Sequence, residues 1–302
     1  MKDKLDQLKL IDLKEDPSLV EDCMILEQHR AESEEDARAI LNAIFLQADR
    51  QGDFERFYES RDFNATLNIL RLFSLSQSAK ILEIGGGPGF LGWALKRSGF
   101  TNLDMLEPNN YWNTGTAYLR SRPDARSIRI FRDTQDWHSV SEPYDAFITK
   151  NCIHHFQNLT MAAATLRQKL KPGGFWFAFR EWFADTAEEV AELVRTHPYC
   201  QKYGLYEWPY PAAHYVESFA LAGLKLWAIV PAGYRNDCLG TYSENMPESE
   251  QTKDDELDKL LEVEPEKTVQ QFWKEVAAIR SGDFSTRLYT HPQLMVFKRF
   301  EV

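Results

Sequence analysis

The sequence predicts an α/β fold, an open and mostly parallel sheet with helices on both faces. Three observations carry this. Residues 80–92 read Lys-Ile-Leu-Glu-Ile-Gly-Gly-Gly-Pro-Gly-Phe-Leu-Gly, an apolar run that ends in four glycines within five residues. A helical pattern follows at once, at Phe90, Leu91, Trp93, Ala94 and Leu95. Second, strand and helix patterns alternate from about residue 78 to 230. Third, Lys171-Pro172-Gly173-Gly174 cannot continue a helix, because Pro172 lacks a donor and the glycines supply a turn. That segment is expected to stop a helix at Leu159–Leu170 and to start a strand at Phe175–Phe179.

The elements follow in order. Residues 1–75 read as a helical cap. Ser33 with Glu34, Glu35 and Asp36 has the form of a helix start, and Ile40, Leu41, Ile44 and Phe45 recur at helical spacing. A second helical segment spans Phe54 to Phe73. The main domain is expected over 76–302, with strand segments at Ile81–Ile84, Leu103–Leu106 and Ser127–Phe131 and a fourth within Tyr144 to Phe156. Residues 184–222 read as helices on the substrate side, and 233–290 as an insertion. Within it, 241–268 is polar and acidic and reads as solvated or mobile. A helix face at Val269, Phe272, Trp273, Val276 and Ile279 comes next, and Leu294–Phe297 is the final strand.

A strand, a glycine turn and a helix make a nucleotide-binding unit, because the backbone must come within van der Waals reach of the ligand with no Cβ in the way. Two registers fit. Gly87-Pro88-Gly89-Phe90-Leu91-Gly92 satisfies the dinucleotide pattern G-x-G-x-x-G, and Glu83 to Gly89 satisfies E-x-G-x-G-x-G. The second is favoured by Glu83. An acid inside the strand can anchor the loop and meet a cationic ligand, whereas it would repel a pyrophosphate. Glu107, about twenty residues further on, stands where a strand-end acid accepts ribose hydroxyls. Both registers share this.

The E-x-G-x-G-x-G segment resembles motif I of the class I S-adenosylmethionine (SAM) methyltransferases. Tyr144 to Phe156, with Asn151 ahead of His154-His155, resembles the region after their fourth strand. Leu170-Lys171-Pro172-Gly173-Gly174-Phe175 resembles the turn before their fifth. These segments occur in order over residues 80–180. The resemblance implies a Rossmann-like seven-stranded, doubly wound sheet whose last strand runs antiparallel. It implies SAM as cofactor, held by Glu83, Gly85, Gly87 and Gly89, by Glu107 and Pro108, by Asp133 and Thr134 toward the adenine, and by Asn151. Residues 180–223 resemble small-molecule methyltransferases of bacterial polysaccharide and secondary-metabolite gene clusters. They match at Arg180-Glu181, His197-Pro198, Tyr203-Gly204, Glu207 and Ala222-Gly223, with Leu224 in place of a phenylalanine.

Methyl transfer needs a nucleophile held in line with the S–CH3 bond, and a hydroxyl nucleophile also needs a base. His154, His155 and Glu181 are the candidates, adjacent histidines pointing in different directions. Tyr203, Glu207, Trp208 and Tyr215 could line an acceptor site, with apolar faces and polar edges suited to a sugar-like or other small acceptor. Two rivals exist: a nicotinamide-dependent oxidoreductase, for which no Tyr-x-x-x-Lys pattern follows the fourth strand, and a SAM-binding protein without turnover. The net charge of −11 argues against a nucleic-acid partner. No apolar run is long enough to span a membrane. The charged N-terminus and four unpaired-looking cysteines suit the cytoplasm better than an oxidising compartment, and no metal-ligand cluster is apparent.

Overall fold

The computed structural model describes residues 49–110, 112, 114–133, 137–156, 158–196, 208–234 and 251–300. The expected helix at Ser33–Phe45 and the stretch 241–250 lie outside the described residues. Among the described residues two helices, α1 (Arg50–Glu59) and α2 (Arg61–Leu72), precede the sheet. There follow β1 (Lys80–Ile84), α3 (Phe90–Arg97), β2 (Asn102–Leu106), α4 (Ala117–Ser121) and β3 (Arg129–Phe131). The second half holds β4 (Tyr144–Lys150), α5 (Leu159–Arg167), β5 (Leu170–Phe179), α6 (Ala187–Thr196), α7 (Ala212–Leu221) and β6 (Leu224–Val230). It ends with α8 (Gln251–Val263), α9 (Glu266–Arg280) and β7 (Leu294–Arg299).

The seven strands form one sheet in the order β3-β2-β1-β4-β5-β7-β6. All pairings are parallel except those of β7, which runs antiparallel to both β5 and β6. The chain proceeds outward from β1 in one direction and then resumes at β4 in the other. The switch point therefore lies between β1 and β4, where the carboxyl ends of an open sheet leave a crevice.

Side-chain alternation along the strands divides the core. One face carries Leu82, Phe147, Trp176 and Phe297 against α5, α7 and α9. The other carries Ile81, Ile148, Phe177 and Val296 against α1, α2, α3 and α8. Both faces are buried, which is why β1 and β4 read as apolar runs rather than as alternation.

Two sequence expectations are corrected here. β5 begins at Leu170, not Phe175, because Leu170 pairs with Tyr144 and the Pro-Gly-Gly segment is an irregularity inside the pairing with Gly173 at φ 74°. The helix before it accordingly ends at Arg167. The acidic stretch is not solvated throughout. Residues 251–263 are helical, Leu261 is buried, and Asp258 accepts hydrogen bonds from Tyr234 Oη (2.6 Å) and Asn68 Nδ2 (3.4 Å). An apolar stripe at Leu257 and Leu261 docks this helix on the face that α2 covers.

Candidate active site

The glycine loop is built around a buried carboxylate. Glu83 points from β1 to the α2–α3 face, directly beneath the turn. A Cβ on Gly86 would stand 2.6 Å from its carboxyl carbon, and one on Gly92 would stand 2.6 Å from Oε2. Gly92, the last glycine of the dinucleotide-type pattern, and Gly86, at a free position of the other, are thus needed for one reason, the volume of the Glu83 side chain. Gly85, at φ 67°, has Cys152 Sγ where its Cβ would go, at 2.3 Å. Gly89 caps α3 in the left-handed region at φ 84° and leaves room for Leu119. Oε2 of Glu83 completes no hydrogen bond. Burial, only partly opposed by the Gly92 amide, pushes Glu83 up to about 8; the nearby Glu107 adds to the shift and Lys150 works against it.

Glu107 follows β2 and is also buried. Its Oε2 accepts from the Gly87 amide and its Oε1 from the Asn109 amide, both at 2.8 Å. Each oxygen keeps a further lone pair for a ligand hydroxyl. Burial pushes this carboxyl up to about 7 against the pull of the two amides. Pro108 and Asp133 are half-buried beyond the ends of β2 and β3, and the Pro108 carbonyl accepts from Arg132 Nε at 3.4 Å. Thr134 lies outside the described residues.

The ends of β4 and β5 form the other half of the site. Asn151 and Arg180 follow these neighbouring strands, and both non-glycine residues adopt left-handed backbone, at φ 52° and 59°. Such conformations cost about 1–3 kcal/mol each and persist where surrounding contacts enforce them. Asn151 Oδ1 accepts from Trp182 Nε1 at 2.8 Å, tying the two loops together. Glu181 gathers three donors at once. It accepts from the amides of Cys152 and His154 at 3.2 Å and contacts His154 Nδ1 at 2.8 Å. Neither Glu181 nor His154 exposes its side chain, and the Trp182 ring stacks on His154 at 5.5 Å. His155, by contrast, is exposed, with its ring 4.2 Å from that of His154.

Of the expected acceptor residues, Trp208 is 39 % exposed, while Tyr215 is fully buried with its hydroxyl on the Trp182 carbonyl at 3.0 Å. Tyr215 therefore braces the loop after β5 from within the core. Tyr203 and Glu207 lie outside the described residues.

Two groups at this rim carried no signal in the sequence. Asp62 of α2 pairs with Lys150 at the end of β4 and, at 3.0 Å, with Arg180 after β5. His291, just before β7, has Nε2 2.8 Å from the largely buried Asp185 and stacks on Phe183. Each joins residues about 90 or more positions apart, so no local spacing announces it. Among the described residues no group of histidine, cysteine and acidic side chains could hold a metal ion.

No curated protein matches the sequence. Among solved structures, the chain is similar to the plantazolicin methyltransferase BpumL in complex with a desmethyl analogue and S-adenosylhomocysteine (15% identity, 94% of this chain and 98% of that one, TM-score 0.47). It is also similar to the StiE O-MT segment (14%, 80% and 74%, TM-score 0.45) and to the mitomycin 7-O-methyltransferase MmcR (14%, 68% and 57%, TM-score 0.42). Residues 56–229, from α1 to β6, match a family described as a methyltransferase domain. The chain belongs to this methyltransferase-domain family, whose methyl donor is S-adenosylmethionine.

Proposed function

We propose that the protein transfers the methyl group of SAM to a hydroxyl of a small, sugar-like or secondary-metabolite acceptor. The observation that carries this reading is the Glu181–His154–His155 constellation, which holds an exposed imidazole at the rim of a SAM-type glycine cradle. Bound SAM supplies an activated methyl on its sulfonium. The residues fit that cofactor: a backbone turn with no side chains in the way and a ribose-side acid, Glu107, already pre-oriented by two amides. Its hydroxyl-accepting oxygens distinguish the sugar end of the ligand. Gly85, Gly87 and Gly89 shape the cradle, with Pro108, Asp133 and Asn151 at its margins.

In this reading His155 takes the acceptor's proton, while Glu181 and His154 hold the loop that presents it. Trp208 offers an exposed ring for the acceptor. The test uses methyl-labelled SAM with a panel of hydroxylated sugars and phenols. With an accepted substrate, His155→Gln should lower kcat about a hundredfold or more and leave S-adenosylhomocysteine affinity intact. His291→Gln serves as the comparison arm. Near-normal turnover in His155→Gln, with loss in His291→Gln, would move the base to the Asp185–His291 pair. Near-normal turnover in both would favour an amine or carbon acceptor.

Glu107 provides a test that needs no acceptor. Glu107→Ala should weaken S-adenosylhomocysteine by about 1.5–3 kcal/mol, the range for hydrogen bonds to a charged group. The ionised carboxylate is the better acceptor of ribose hydroxyls. Its value near 7 in the folded, ligand-free protein therefore makes affinity rise with pH up to about 7. The same shift runs the other way for the free protein. The unfolded chain ionises this group near 4.5, so folding stability is lost as pH rises from there toward 7. Calorimetry from about pH 5.5 to 7.5 should show the first trend, and Glu107→Gln should flatten it. A pH-independent affinity in the unaltered protein would remove Glu107 from the ribose.

A further inference from the structure

Lys150 and Arg180 end neighbouring strands, and one carboxylate, Asp62, serves both. The cluster is sheltered, with side chains only 16–22% exposed. Two cations share one paired acid, with the buried Glu83 acting on Lys150 from further off, in a place where water is scarce. Arg180 is held there by a strained backbone, and its amide is pinned to the Gln293 carbonyl at 3.0 Å. The acid does not come from the sheet. It comes from the first turn of α2, part of the helical layer laid over the α3 face.

The direction of the cofactor follows from the strand order. Glu107 ends β2 on one side of β1, and Lys150 ends β4 on the other. A ligand whose ribose meets Glu107 and whose adenine lies toward β3 extends its remaining arm across the switch point to β4 and β5. In SAM that arm is an amino acid, ending in an ammonium and a carboxylate. We propose that Lys150 and Arg180 seat the carboxylate of the cofactor's amino-acid end, and that Asp62 fills this seat in the ligand-free protein. The proposal rests on the SAM reading given above. Charge-assisted contacts of this kind are short and strong, and the guanidinium fork matches a carboxylate. Arrival of a second carboxylate then competes with Asp62, so cofactor loading loosens one tie between α2 and the sheet.

The experiment compares two probes by calorimetry: S-adenosylhomocysteine and its 3-aminopropyl thioether analogue, which lacks only the carboxylate. Lys150→Gln and Arg180→Asn should each weaken S-adenosylhomocysteine about tenfold or more and leave the analogue within about twofold. Asparagine is chosen because it tolerates left-handed backbone. Asp62→Asn should act with the opposite sign, tightening S-adenosylhomocysteine relative to the analogue. A residue that only braces the fold would change both probes alike. An unaltered ratio of the two affinities in all three variants overturns the proposal, and would assign the cations to the acceptor or to the cap alone. If the unaltered protein binds neither probe, it is the SAM reading that fails.

Discussion

Glu181→Ala is expected to cost several kcal/mol of stability, at about 1–3 kcal/mol for each buried donor deprived of its acceptor. The carboxylate is the common acceptor for the Cys152 amide, the His154 amide and the His154 ring. Alanine removes the acceptor these three share, in a place no solvent reaches. The first structure to fail is the short 3-10 turn Ile153–His155, and with it the seat of Cys152 against Gly85. Cofactor affinity should therefore fall together with the melting temperature, although Glu181 contacts no cofactor atom in this reading. Glu181→Gln keeps one acceptor oxygen and should lose less. Denaturant titration of both variants checks this. A Glu181→Ala protein within about 1 kcal/mol of the parent would mean that the turn is held by packing alone.

Trp176→Ala should be comparably severe, at about 3–5 kcal/mol for an aromatic truncated in a close-packed core. Trp176 is fully buried on β5, meets Phe147 and Phe219 edge-on at 5.4 and 4.7 Å, and donates to Thr149 Oγ1 at 3.0 Å. The loss combines a large cavity with the loss of one hydrogen bond to the buried Thr149 hydroxyl, which keeps only its own donation to the Phe177 carbonyl at 3.5 Å. Because Thr149 sits one residue, and Trp176 three residues, before the ends of the strands that carry the site, Trp176→Phe is informative. It keeps most of the volume, loses the hydrogen bond, and should cost about 1–3 kcal/mol. Equal losses in the two variants would show that the cavity contributes little.

The sheet was legible because its signals are local. β1, β2, β4 and β7 are compact apolar runs bounded by glycine, proline or charge, and the glycine turn admits few alternatives. β3 was overestimated at its start. Only Arg129–Phe131 pairs with β2, because the Ile128 amide is taken by the Ala125 carbonyl at 2.9 Å in the turn before it. Glu83 was recognised as an anchor. Its consequence for Gly86 and Gly92 was not, because a steric demand across the turn appears only once the chain is folded. Asp62 was invisible for the same reason. In sequence it is an acid in the first turn of a helix, a place where an acid is favoured by the helix dipole alone. Its partners lie 88 and 118 residues away. Tyr215, read equally well as acceptor-site lining or core, was decided by packing between α7 and the loop after β5. The acidic stretch misled because composition averages over a helix whose apolar stripe is only Leu257 and Leu261 wide.

The placement of β7 has a bearing on how the molecule comes into being. It is the last strand of the chain, yet it lies between β5 and β6, pairing with both. A growing polypeptide that has delivered β6 still has two unfilled rows of amides and carbonyls facing one another across a gap. Those rows can recruit a foreign strand as readily as the proper one. Closure waits for 231–293 to emerge and for the last segment to slot in from the side, a long-range and hence slow step. The Arg299 guanidinium then clasps the carbonyls of Arg167 and Leu170, fastening the newcomer to the start of β5. Biogenesis of the whole sheet thus depends on one late insertion of six residues.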